Sequence, residues 1–157
     1  MANEDFFTFS EYMKKECDVL TASMEDYLEM IYRLSEKVGF TRIHELAKAL
    51  NVQPPSATKM VQKLSELKFV KYEKYGIIIL TKEGKSMGEY LLNRHNIIEA
   101  FFKILGISNR VLEQTEKVEH TINDETVQYL QDFVNFLKLR PEIVDDFVMF
   151  RKSKKVK

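Results

Sequence analysis

The stretch TRIHELAKALNVQPPSATKMVQKLSELKFVKYEKYGIIILT, residues 41–81, changes its hydrophobic pattern twice within one run. Over 41–50 the apolar residues Ile43, Leu46, Ala47 and Leu50 recur at helical spacing. Asn51–Gln53 then supply a turn. Pro54 and Pro55 open a second helix, because proline is tolerated in a first helical turn, where its missing N–H has no partner to lose. That helix runs over 54–68 and buries Met60, Val61, Leu64 and Leu67. Residues 69–81 are rich in β-branched and aromatic side chains with Gly76 in the middle, which predicts a two-stranded hairpin. A helix before this stretch would complete a winged helix-turn-helix.

Such a helix is predicted upstream. Ser23 is a good N-cap, Met24, Tyr27, Leu28, Ile31 and Leu34 follow with helical spacing, and Gly39 ends the segment. Residues 1–20 show no clean period and are expected to form an extension. Downstream, Gly84 marks a junction and residues 85–104 predict a long helix joining two halves. After a break at Gly106 and Asn109, further amphipathic helices are predicted over 110–122 and 124–138. In the latter, Val127, Leu130, Val134 and Leu137 are spaced 3, 4, 3, which suits either an ordinary core or a helix–helix dimer seam. Pro141 ends the pattern, and 141–157 are expected to be a basic C-terminal tail, whose last stretch FRKSKKVK reads as solvated or, alternatively, as a weak phosphate contact. The expected architecture is mainly α. A winged helix-turn-helix over 21–84, with a small β-hairpin wing, precedes an all-α metal-binding and dimerisation domain over 85–140.

Overall charge is zero, with 24 basic and 24 acidic residues, but its distribution is uneven. Residues 41–85 hold nine Lys/Arg against four Asp/Glu, so the remainder is acidic. Cys17 is the one cysteine, which excludes an internal disulfide and suggests a reducing compartment. No apolar run reaches the ~18–20 residues of a membrane span, and the acidic N-terminus lacks the order of a signal peptide. A cytoplasmic protein with no membrane partner is expected.

The start of the second helix of a helix-turn-helix faces base edges in the major groove. Here it presents Pro55, Ser56, Ala57, Thr58 and Lys59: small residues for close approach, hydroxyls for phosphate or base, and a lysine able to reach guanine. Gln62 and Lys63 lie one turn on, and Lys71, Lys74 and Tyr75 of the wing suit backbone contact. Winged helices also serve as protein-binding modules, and lysines also simply solvate small domains.

Three other clusters invite metal chemistry. TEKVEH, residues 115–120, puts Glu116, Glu119 and His120 on one helical face. His95 precedes Glu99 by four, and Asp26 precedes Glu29 by three. Each has an ordinary explanation: Asp26 as a capping partner of Ser23, Glu29 as a solvated face, and the acids of 115–120 as helix surface. His44 reads as a surface or capping residue.

In order and spacing, SMEDYLE, SATKMVQKL, EKYGIIILT, RHNIIEAF and VEH closely resemble the manganese-responsive branch of the diphtheria-toxin-repressor (DtxR/MntR) family, across roughly residues 21–138. The resemblance implies two Mn²⁺ per subunit, held by Asp26, Glu29, His95, Glu116, Glu119 and His120, with Glu99 as an accessory carboxylate. A backbone carbonyl near Glu116 and waters would complete the shells. It implies that Pro55, Ser56, Thr58 and Lys59 face the operator. Iron-sensing relatives carry methionine and cysteine where this chain has Asp26 and Glu116, and the oxygen donors favour manganese over iron. Fe²⁺, Zn²⁺, Cd²⁺ and Co²⁺ are expected competitors in vitro. The chain is too short for the SH3-like third domain of the iron sensors, and its wing glycine is displaced by one position. The implied function is a homodimeric, Mn²⁺-dependent repressor of manganese-uptake genes on a near-palindromic DNA operator, with no small organic ligand.

Two other classes compete. A di-iron enzyme in a helical bundle needs two inward Glu-x-x-His units, and this chain lacks that pair, so no enzyme is expected. A winged-helix sensor of an organic ligand would leave the acids merely solvated.

Overall fold

The computed structural model describes Thr8 and residues 20–154. The expected extension therefore lies almost wholly outside the described residues, as do 155–157. Among the described residues seven α-helices and three short strands follow in the order α1 (Ala22–Ser35), β1 (Thr41–Arg42), α2 (Ile43–Ala49), α3 (Pro54–Glu66), β2 (Val70–Tyr72), β3 (Ile77–Leu80), α4 (Lys82–Ile104), α5 (Val111–Glu119), α6 (Asp124–Leu139) and α7 (Pro141–Lys154).

Helix α1 starts earlier than its sequence suggests. Thr21, not Ser23, is the N-cap, and its hydroxyl accepts the Met24 N–H at 3.3 Å. Asp26 is thereby moved past the capping position and left free for another role. Tyr27, Leu28 and Ile31 enter a core shared with Leu46 and Ala47 of α2, Ala57, Val61 and Leu64 of α3, Ile78 of β3 and Leu91 of α4. Leu28, Ile31, Leu46, Val61, Leu64, Ile78 and Leu91 are all fully buried, each contributing about 1.5–3 kcal/mol of apolar transfer. This core fixes α3 with Pro54 and Pro55 in its first turn and its opposite face in solvent.

The hairpin forms, but as part of a three-stranded antiparallel sheet of order β1-β3-β2. Thr41 pairs with Ile78 and Arg42 with Ile77, while Val70, Lys71 and Tyr72 pair with Leu80, Ile79 and Ile78. Two residues carry no period, so β1 leaves no pattern to read in the sequence. The wing turns tightly through Lys74–Gly76, with both Tyr75 (φ 61°) and Gly76 (φ 72°) left-handed. A Cβ on Gly76 would lie 2.8 Å from Ile43 Cγ2, so a glycine here lets the wing tip rest on α2.

Helix α4 begins at Thr81, whose hydroxyl accepts the Gly84 N–H and donates to the Lys68 carbonyl. Its 23 residues carry the chain roughly 35 Å from the winged unit to the distal helices. It crosses α1 closely at Gly88, where a Cβ would sit 2.6 Å from Tyr32 Cβ. That crossing brings the acids of α1 against His95. Helix α5 is shorter than predicted, ending at Glu119 with His120 as C-cap.

One open alternative is narrowed and one expectation is corrected. In the 3, 4, 3 stripe of α6, Val127, Val134 and Leu137 are buried and Leu130 is half-buried, which favours ordinary core. Helical structure does not end at Pro141: residues 141–154 of the expected tail form helix α7, none of whose residues is buried. Pro141 ends one helix and opens the next, because its fixed φ suits a first turn as well as it breaks an interior.

Candidate metal centre

Three helices deliver the acids and histidines to one place. Helix α1 brings Glu25, Asp26 and Glu29, the middle of α4 brings Arg94 and His95, and the end of α5 brings Glu116, Glu119 and His120. The donors fall into two groups whose ligand atoms lie within 4.8 Å of one another: Asp26, Glu116, Glu119 and His120 in the first, and Glu29, His95 and Glu119 in the second. Glu119 belongs to both. All six side chains singled out from the sequence are therefore within these groups. Glu99 is in neither; it pairs with Lys103 at 3.0 Å.

Burial is heavy for such charged groups. Glu119 is fully buried, and His95 and Glu29 are 3% and 7% exposed. Glu119 Oε2 lies 2.8 Å from His95 Nδ1, while its Oε1 receives no hydrogen bond. A buried carboxylate oxygen without a donor is costly, and a cation in this cluster would satisfy it. Asp26 Oδ1 also lacks a well-directed donor, although His120 Nε2 approaches to 2.8 Å. Oxygen and imidazole donors in this number fit a divalent ion of intermediate hardness.

Cationic side chains of the chain itself face these acids. Asp26 and then Glu25 hold the His120 imidazole well above the usual histidine range, up to about 10. The Glu119 carboxylate likewise raises His95. Burial, reinforced by the charge of Glu119, pushes Glu116 up. Burial of Glu25 is outweighed by His120 and Arg94, which hold its carboxyl below the usual range. Arg33 grips Glu29 from one turn on, with Nε at 2.9 Å.

Glu25, Arg94 and Arg33 were not singled out from the sequence. Glu25 resembles any first-turn helix acid, and only the α1–α4 crossing reveals its partners. The solvated reading of Glu29 fails for the same reason, since the helix that covers it is distant in sequence.

Of the residues expected to face nucleic acid, all but Ala57 keep some exposure; Ala57 is fully buried in the core, because its position on α3 faces inward, and it is not available to a groove. Pro55, Ser56, Lys59, Gln62 and Lys63 of α3 are exposed and Thr58 is half-buried. Lys71, Lys74 and Tyr75 project from the wing, Tyr75 being 88% exposed. His44 is exposed on α2. On α6, Tyr129, Phe133, Phe136 and Leu139 form an exposed apolar stripe beside the buried one, and Phe133 packs edge-on to Phe101 of α4.

A winged reading head joined by one long helix to a helical module, with acids and imidazoles drawn from both around one buried carboxylate, defines a metal-responsive DNA-binding regulator. Residues 19–78 match the iron-dependent repressor N-terminal DNA-binding domain, and residues 81–146 match the metal-binding and dimerisation domain of the same repressors. The chain belongs to this iron-dependent (DtxR/MntR) repressor family, whose members are transcriptional regulators and not enzymes. It is 42% identical over 119 residues to the HTH-type transcriptional regulator MntR of Oceanobacillus iheyensis, covering 75% of this chain and 81% of that one. The solved manganese regulator SloR is 33% identical with a TM-score of 0.65, covering 74% of this chain and 55% of that one. ScaR with bound Zn²⁺ is 30% identical with a TM-score of 0.60, covering 72% of this chain and 54% of that one. The chain thus spans about 55% of the SloR chain. No helix among the described residues is long and apolar enough to cross a membrane.

Proposed function

We propose that this protein is a Mn²⁺-dependent repressor of manganese-uptake genes that binds a near-palindromic operator as a homodimer in the cytoplasm. The observation that supports it most is the sharing of Glu119 between two donor groups, one reaching Asp26 and the other Glu29 on the reading head. Asp26, Glu29, Glu116 and Glu119 together carry −4, which two divalent ions balance. When bound, the metal supplies positive charge and a common anchor for oxygen and nitrogen donors. Left uncompensated, two carboxylates ~4 Å apart repel by about 4 kcal/mol at an effective dielectric near 20. His120, Arg94 and Arg33 offset part of this, and α1 is held against α5 only as firmly as those contacts allow.

Filling both groups fixes the angle between α3 and the pairing module. Tyr129, Phe133 and Phe136 offer an apolar face for the second subunit, and a two-fold pair would present two α3 helices at one spacing. Metal and operator are then linked, each tightening the other by the same factor. Oxygen donors at Asp26 and Glu116 support manganese over softer ions, while geometry must exclude Zn²⁺, which the affinity order favours. Replacing Asp26→Met should raise the response to Fe²⁺ relative to Mn²⁺. The reading is tested by titrating a labelled operator with the protein in chelator and in Mn²⁺. A large gain in affinity with Mn²⁺ supports it, and equal affinity in both rejects it.

A further inference from the structure

One carboxylate against the centre belongs to neither donor group. Glu25 Oε2 lies 2.6 Å from His120 Nδ1, and the same oxygen accepts from Arg94 Nη2 at 2.6 Å. These contacts span 95 and 69 residues of sequence. Arg94 is itself 5% exposed and rests over the Tyr90 ring at 5.9 Å, and Tyr90 donates to Asp124 at the start of α6. A polar chain therefore runs from α1 through α4 to α5 and α6.

Two groups face His120 Nδ1: the Glu25 carboxylate at 2.6 Å and Arg94 Nη2 at 3.4 Å. Arginine only donates and a carboxylate only accepts; Arg94 is already bonded to Glu25 at 2.6 Å, so the much shorter carboxylate contact favours a protonated Nδ1 donating to Glu25. Nε2 is then the nitrogen left for a metal, and it points into the first group, 2.8 Å from Asp26 Oδ1 and 3.8 Å from Glu119 Oε1. An acid serving only the helix dipole in a first turn would gain its effect while exposed. Glu25 instead has a side chain 15% exposed and bonded across the domain junction.

We propose that Glu25, clamped by Arg94, is the positioning residue of the metal centre. It holds the His120 ring with Nε2 toward Asp26 and Glu119, and it ties the reading head to the pairing module before any ion binds. The inference rests on the metal-centre reading above. Outer carboxylates of this kind orient a ligating imidazole and strengthen it as a donor, and their loss typically lowers metal affinity 10–100-fold.

The test compares Glu25→Ala and Glu25→Gln with the native full chain, by Mn²⁺ titration calorimetry and by ¹⁵N spectra of the His120 ring in metal-free protein. Glu25→Ala should weaken one binding phase by about 10–100-fold and leave the phase of Glu29, His95 and Glu119 within about threefold, while Glu25→Gln, still an acceptor for Nδ1–H, should recover most of the loss. The His120 Nδ1 resonance should shift in Glu25→Ala and stay near native in Glu25→Gln. Native affinity in Glu25→Ala, or an equal fall of both phases with no change at the His120 ring, would overturn the proposal. A native protein that bound no Mn²⁺ would remove the metal-centre reading. The ring spectrum would still decide the Glu25 contact, an unchanged Nδ1 signal in Glu25→Ala refuting it.

Discussion

Glu119→Gln is the substitution to which the metal centre should be most sensitive. The side chain is fully buried, belongs to both donor groups and has one oxygen without a donor. Glutamine keeps the shape and removes the charge. In metal-free protein two effects oppose: the pairing with His95 weakens, and repulsion with Glu116 disappears. The fold should therefore survive. The response to metal should not. At free Mn²⁺ 100-fold above Kd, one site stabilises the native state by about 2.7 kcal/mol and two independent sites by about twice that. At about 2–4 °C per kcal/mol for a chain of this size, the native protein should gain roughly 10–20 °C in Tm. Asp26→Asn and Glu29→Gln each disable one group and should retain roughly half of that gain. Glu119→Gln should retain almost none. Differential scanning fluorimetry across a Mn²⁺ series reads all four proteins together. A Glu119→Gln variant that kept half or more of the native shift would refute the shared-carboxylate reasoning.

Phe133→Asp places a charge in the middle of the exposed α6 stripe. It should turn the dimer into a monomer by analytical ultracentrifugation and abolish operator binding while leaving Mn²⁺ binding intact. Gly88→Ala drives a methyl into Tyr32 at the α1–α4 crossing and should cost about 1–3 kcal/mol of overpacking, read as a lower urea midpoint. His120 has a folded-state pKa raised from 6.5 to about 10. Its ion pairs therefore stabilise the metal-free protein fully below pH 6.5, and that contribution is lost as pH rises toward 10. Metal must displace the same proton, so Mn²⁺ binding at pH 7 should release about one proton per subunit or more, seen as calorimetric heats that vary with buffer ionisation enthalpy. Heats independent of buffer would contradict this.

The winged unit was legible because its signals are local. Prolines at a helix start, a 3.6-residue stripe and a β-branched run each declare themselves within a few residues. Strand β1 was not, since Thr41 and Arg42 become a strand only by pairing with Ile78 and Ile77. Helix α7 was hidden by reading Pro141 as a stop and not as a start. The six acids and histidines could be named from motif order, but their convergence depends on α1 crossing α4 at Gly88, which no local pattern encodes. Glu25 and Arg94 show the limit most clearly. Each looks like an ordinary surface charge until the fold brings them within 2.6 Å.

The central claim is that metal ligated by both halves locks the reading head to the pairing module. Crystals of the full chain grown with Mn²⁺, with anomalous differences collected near the manganese edge, test it most directly. The account predicts two peaks per subunit about 3.5–4 Å apart, flanking Glu119, one also bound by Asp26 and His120 and the other by Glu29 and His95. A map with no peak at Glu119, or with ions held only by residues of one half, would contradict it.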